Sequence, residues 1–77
     1  MPDEMVKLME TVTDPKTTQA QVSAAYANCI LSWDKGRLLH GSFWAEVNRL
    51  IIERWSERSL VRIKREAWRQ VEQAETP

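Results

Sequence analysis

The chain is poor in the residues that staple small proteins or build reactive sites: it has one cysteine, one histidine, two glycines and three prolines. The lone Cys29 excludes an internal disulfide, and with a single histidine it cannot complete a structural zinc site. No Gly-rich phosphate loop and no recognised metal-ligand spacing occur. We therefore predict no catalytic residues, no cofactor and no metal, and a protein that is not an enzyme.

Long hydrophobic runs are also missing. The longest unbroken apolar run, Ala24 to Ala27, has four residues, whereas a membrane-spanning helix needs about 20. The N-terminus carries Asp3 and Glu4 and lacks the basic segment and apolar stretch of a signal peptide. These absences predict a soluble cytoplasmic protein with no membrane partner.

Length and charge limit the remaining choices. The 77 residues suffice for one domain, residues 1–77, and leave no room for two. Eleven basic residues balance eleven acidic ones, although residues 1–36 carry a net charge of −2 and residues 37–77 a net charge of +2. Proteins that bind nucleic acid usually have a larger basic excess, so the composition favours a protein partner.

Apolar side chains recur with helical spacing along the chain, and no segment shows the alternation of a strand. This pattern predicts an all-α fold, a small bundle of three or four helices. The helices are predicted at residues 3–12, 15–35, 42–56 and 57–74.

The start of the second helix has two competing signals. Asp14 as N-cap with Pro15 at the first helical position favours a start at residue 15. Thr18 and Gln21 form a capping-box pair and favour a start a few residues later.

The third helix has the widest apolar face, an arc of about 200°. A face that wide predicts a helix covered from more than one side, so we place it at the centre of the bundle. The residues on this arc are Phe43, Trp44, Val47, Leu50, Ile51, Ile52 and Trp55.

The apolar stripe from Leu60 to Ala74 lies about half a turn out of phase with the stripe before it. Either the chain turns at residues 56–59 to form a helical hairpin, or one long helix changes its buried face there. Ser56 is a suitable N-cap, so we favour the turn.

A row of arginines follows the opposite side of this last segment. At helical spacing they fall within an arc of about 80°, which makes one face strongly cationic. Guanidinium groups bind carboxylates and phosphates in paired geometry, although a cationic outer face is also typical of a solvated helix. The row consists of Arg54, Arg58, Arg62, Arg65 and Arg69. A turn at 56–59 would remove Arg54 from it and leave the place of Arg58 open, while Arg62, Arg65 and Arg69 would stay aligned.

Four tryptophans are many for a chain of this length. Trp44 and Trp55 lie three helical turns apart on one apolar face, which is typical of core residues. Trp68 lies between the apolar stripe and the arginines, so we expect it to be partly exposed, as interface anchors often are.

These patterns predict a stoichiometric protein-binding module, an inhibitor or adaptor, whose partner is a larger protein or nucleoprotein with an acidic surface. The predicted contact residues are Arg58, Arg62, Arg65, Trp68 and Arg69. Phages and mobile elements encode many proteins of this size that inhibit host defence nucleases, so an anti-defence role is one form of this hypothesis. The alternative is a helix-turn-helix-like regulator that uses the same arginines on nucleic-acid phosphates.

Self-association is a further hypothesis, compatible with either function. The wide apolar arc of the third helix exceeds what short neighbouring helices would cover. A second surface, formed by Ala24, Ala27 and Leu31, is flat enough for close approach of another helix. A homodimer would bury both and add the stability that so short a chain lacks.

Overall fold

A computed structural model describes residues 3–32 and 41–75. These residues form four α-helices and contain no strand, which confirms the predicted all-α bundle. Predicted helical residues 33–35 lie outside the described ranges. The helices are α1 (Asp3–Thr13), α2 (Gln19–Ser32), α3 (Gly41–Arg54) and α4 (Glu57–Glu75).

The four helices close a ring in which each packs against two others. α1 contacts α2 and α3, and α4 contacts the same two helices from the other side. The most extensive backbone contact joins α2 to α4. The ring encloses an apolar core whose most buried large side chains are Leu8, Ile51, Ile63, Val12, Val22, Val47 and Val71.

The central position predicted for α3 is not what the packing shows. α2 buries six residues and α3 only three, so α2 contributes more of the core among the described helices. Trp44, Leu50, Ile52 and Trp55 are half-buried. A wide apolar arc does not require complete enclosure, because large side chains at its edges can pack along the rim of the core with one side in solvent.

The start of α2 is decided by its capping box. The Thr18 amide donates to Gln21 Oε1 (2.7 Å), and the Gln21 amide donates to Thr18 Oγ1 (3.2 Å). Asp14 instead holds a separate turn, because its carboxylate accepts the Lys16 amide at 2.9 Å. The predicted start at residue 15 is therefore wrong, and α2 begins at Gln19.

The turn between α3 and α4 confirms the predicted helical break. Ser56 acts as the N-cap of α4, since its Oγ accepts the Ser59 amide at 3.1 Å and its carbonyl accepts the Leu60 amide at 3.1 Å. The break lets α3 and α4 each turn an apolar face inward: Ile51 and Ile63 are both fully buried although their stripes are out of phase.

One polar pair crosses the core between α2 and α3. The Tyr26 hydroxyl donates to Asn48 Oδ1 at 3.0 Å. The Trp44 ring lies against Tyr26, with ring centroids 4.7 Å apart. A polar pair that is satisfied inside a small core costs little, and it favours one alignment of the two helices over others.

Candidate functional site

The spacing of residues along α4 separates a buried side from an exposed side. Ser59, Ile63, Ala67 and Val71 recur every four residues and are buried. Every side chain about half a turn away therefore points out of the bundle. This outward side of α4 is the candidate functional site, and the arginine row predicted from the sequence lies on it from Arg58 onward.

Arg54 leaves the arginine row, as a turn after α3 requires. Its Nη1 donates to the Val12 carbonyl (3.1 Å) and to Thr17 Oγ1 (2.7 Å), and its Nη2 donates to the Thr17 carbonyl. The Val12 carbonyl is among the last in α1, where the helix leaves its acceptors unpaired and its dipole favours a cation. The guanidinium also lies 4.1 Å from the centre of the Trp55 ring. Arg54 is a structural residue.

The remaining four arginines are exposed on α4. Arg62, Arg65 and Arg69, together with Glu66, line a shallow depression of about 350 Å³. Arg62 Nη2 also donates to Ser59 Oγ at 3.2 Å, which anchors that side chain at one end of the row. The structure thus brings three of the predicted contact arginines together and leaves Arg58 one turn further toward the N-terminus of α4.

Glu66 moderates the charge of this depression. Arg69 donates two hydrogen bonds to Glu66, one from Nε to Oε1 at 2.9 Å and one from Nη2 to Oε2. Gln70 Nε2 also donates to Glu66 Oε2, at 3.0 Å. The hydrogen bond from Arg69 lowers the pKa of Glu66 to about 2, so this carboxylate stays charged at neutral pH. The face is therefore a mixed surface with a basic excess.

Two apolar side chains are exposed on the same side of α4. Trp68 is 42% exposed, as predicted, and Val61 is 53% exposed, which the sequence reading overlooked. The helical count places Val61 and Trp68 in line, seven residues and about 10.5 Å apart along the axis. Val6 on α1 is the other large apolar side chain exposed within the described ranges. Aromatic residues and arginine are both enriched at protein interfaces.

The other tryptophans described by the structure pack against the core, as expected for Trp44 and Trp55. The Trp44 Nε1 atom is buried and has no hydrogen-bond partner among the described residues. A buried indole N–H without an acceptor costs free energy, so Trp44 is held by ring packing on Tyr26 and Phe43 rather than by its polar atom.

Cys29 is fully buried, and burial raises the pKa of its thiol to about 11. Within residues 3–32 and 41–75, no group of three His, Cys, Asp or Glu side chains is placed to hold a metal ion. None of the four helices is both long and apolar enough to cross a bilayer.

The two faces proposed for self-association are largely covered by other parts of the same chain. Ala27 is 1% exposed, and Ala24 and Leu31 are half-buried. The apolar arc of α3 likewise leaves no large side chain fully exposed. The described parts of these two faces therefore give no support to a homodimer.

Comparison with protein-family models, curated proteins and solved structures finds no significant match for this chain.

Proposed function

We propose that this protein is a non-enzymatic, stoichiometric protein-binding module and that the outward side of α4 is its contact surface. The observation that carries the proposal is the exposure of Trp68 next to Arg65 and Arg69 on one helix. Tryptophan and arginine are the residues most enriched among those that dominate binding energy at protein interfaces.

The proposed action needs no chemistry by the module itself. A chain whose maximum extent is 35 Å can occlude a functional surface of a larger assembly or bridge it to another protein. An inhibitor or an adaptor fits this description, and phage or mobile-element inhibition of a host defence nuclease is one setting for it. That setting is suggested by chain size, whereas the contact surface is argued from α4.

The test is affinity capture from the native host with matched variants. Trp68→Ala and the double variant Arg62→Glu/Arg65→Glu remove the two chemical components of the surface. Val6→Ala and Lys16→Glu are controls, because they change an exposed apolar and an exposed basic residue elsewhere. We expect the wild type and both controls to retain a stoichiometric partner, and each α4 variant to bind it about tenfold more weakly or worse. Equal retention by all variants would remove α4 as the contact surface.

Nucleic-acid binding is the second candidate, since three arginines line one depression. Two features favour protein over phosphate: Val61 offers an aliphatic surface that a phosphate backbone cannot use, and Glu66 places a carboxylate within the row. Binding to phosphates would weaken steeply with salt, with a logarithmic slope of about −0.9 per phosphate neutralised on B-DNA. We expect no shift of duplex DNA or RNA at micromolar protein. A salt-dependent shift abolished by Arg62→Glu/Arg65→Glu would reverse this preference.

A further inference from the structure

The outward side of α4 has a definite layered pattern. Val61 and Trp68 are its apolar members, and Lys64 and Arg65 occupy the turn between them. Lys64 is half-buried and Arg65 is exposed. By helical geometry the two cations lie on either side of the line that joins Val61 to Trp68. Between Val61 and Trp68 the surface therefore alternates apolar, basic and apolar, one layer per turn, and the exposed Glu57 and Glu72 follow one turn beyond its two ends.

The pitch of this pattern fits another helix better than a strand. Layers on α4 follow one another about every 5.4 Å, the rise of one helical turn. Side chains on one face of a strand repeat about every 6.7 Å, so a strand loses register within two layers. A helix with apolar residues seven apart and carboxylates three and four residues after the first matches all three layers at once.

A second copy of this chain does not satisfy the pattern. In an antiparallel pair of α4 helices with Val61 opposite Trp68, the Lys64 and Arg65 of both copies meet at the centre. In a parallel pair the same residues again face each other. Four cations at the middle of a contact repel, whereas carboxylates at the same level would pair with them.

We infer that the occupant of this surface is an acidic amphipathic α-helix of a partner protein, with apolar side chains seven residues apart and carboxylates in the turn between them. The inference rests on the proposed function and adds the chemistry and secondary structure of the partner segment. Trp68 and Val61 would pack on its apolar residues, and Lys64 and Arg65 would pair with its carboxylates.

The probe is a labelled helical peptide of about three heptads, with two central Leu residues seven positions apart, Glu three and four residues after the first Leu, and Ala and Gln elsewhere. Three reference ligands accompany it: the same peptide with Lys for Glu, the same peptide with Ala for Leu, and a DNA duplex. Fluorescence anisotropy measures binding to the full chain. We expect only the Leu/Glu peptide to bind well, and the Ala-for-Leu peptide to bind about tenfold more weakly or worse.

A charge exchange gives the sharpest control. Lys64→Glu/Arg65→Glu should lose the Leu/Glu peptide and gain the Leu/Lys peptide, a rescue that mere destabilisation of the protein cannot produce. Trp68→Ala should weaken binding of the Leu/Glu peptide about tenfold. Val6→Ala and Lys16→Glu should leave it unchanged, and far-UV circular dichroism confirms that each variant is folded.

Several outcomes would overturn the inference. They are tighter binding of the DNA duplex than of the Leu/Glu peptide, equal binding of the peptides with and without Leu, failure of the charge exchange, or a dimer in sedimentation with no peptide binding. The same variants also test the proposed function separately from this inference. If a captured native partner is lost with Trp68→Ala but retained by Lys64→Glu/Arg65→Glu, the acidic helix is wrong and the protein-binding surface stands.

Discussion

Cys29 and Tyr26 are titratable side chains buried on α2, and burial governs the chemistry of both. Burial raises the pKa of Cys29 to about 11 and that of Tyr26 to about 12, because a charged thiolate or phenolate loses its hydration inside the core. At neutral pH the Cys29 thiol is therefore protonated and enclosed, which makes it a core residue and a poor nucleophile.

The raised pKa of Cys29 predicts a loss of stability in alkali. In the unfolded chain the thiol releases its proton near its ordinary pKa of 9, while the folded chain keeps it to about pH 11. Over that interval the unfolded state binds fewer protons, so the free energy of unfolding falls as pH rises. Urea denaturation at pH 8, 9, 10 and 11 measures the fall, and Cys29→Ala should show a shallower one. Parallel curves for the two proteins would contradict the prediction.

At the scale of the helices, caps decide where each element begins. The Thr18 and Gln21 side chains accept from two backbone N–H groups at the start of α2, and the Ser56 hydroxyl accepts from one, the Ser59 amide, at the start of α4. The Ser56 cap has a larger consequence, because it ends the possibility of one continuous helix from α3 into α4. Because of that break, Arg54 is no longer in line with the arginines of α4.

Removal of the Ser56 cap should destabilise the protein without changing its fold. Ser56→Ala leaves the Ser59 amide without its acceptor, and we expect a loss of about 0.5–2 kcal/mol in the free energy of unfolding. Ser56→Asp should retain most of the stability, because aspartate is also a good N-cap. Chemical denaturation followed by circular dichroism compares the three proteins. A loss with Ser56→Asp as large as with Ser56→Ala would show that the hydroxyl acts in another way.

At the scale of the whole molecule, Arg54 ties together parts of the chain that are distant in sequence. Its guanidinium joins the end of α3 to the end of α1 and to the loop before α2. The adjoining Thr17 hydroxyl also donates to the Thr11 carbonyl at 2.6 Å, so loop and helix end share one hydrogen-bonded network.

Substitution of Arg54 should therefore cost more than substitution of any arginine on α4. Arg54→Met keeps much of the side-chain length but removes every donor, and we expect a loss of about 1.5–3 kcal/mol, the range for hydrogen bonds to charged groups. Arg58→Met, at an exposed position, should change stability by about 0.5 kcal/mol or less. Urea denaturation of the two variants beside the wild type gives the comparison. Similar losses for both would mean that Arg54 contributes no more than a surface charge.

Much of this architecture was accessible from the order of residues. The four helices, the turn near Ser56 and the partial exposure of Trp68 all follow from spacing and capping within single segments. The exposure of Val61 follows from the same helical count, which places it in line with Trp68, although it was not predicted. The start of α2 was missed because two local signals of similar strength competed.

The sequence by itself determined the local features. Each residue of an α-helix is rotated by about 100° from the one before it, so its side of the helix does not depend on what the helix packs against. Only the tertiary structure decided which groups Arg54 binds and that α2 buries more residues than α3. Both depend on distances between segments far apart in the chain, and backbone periodicity carries no information about those distances.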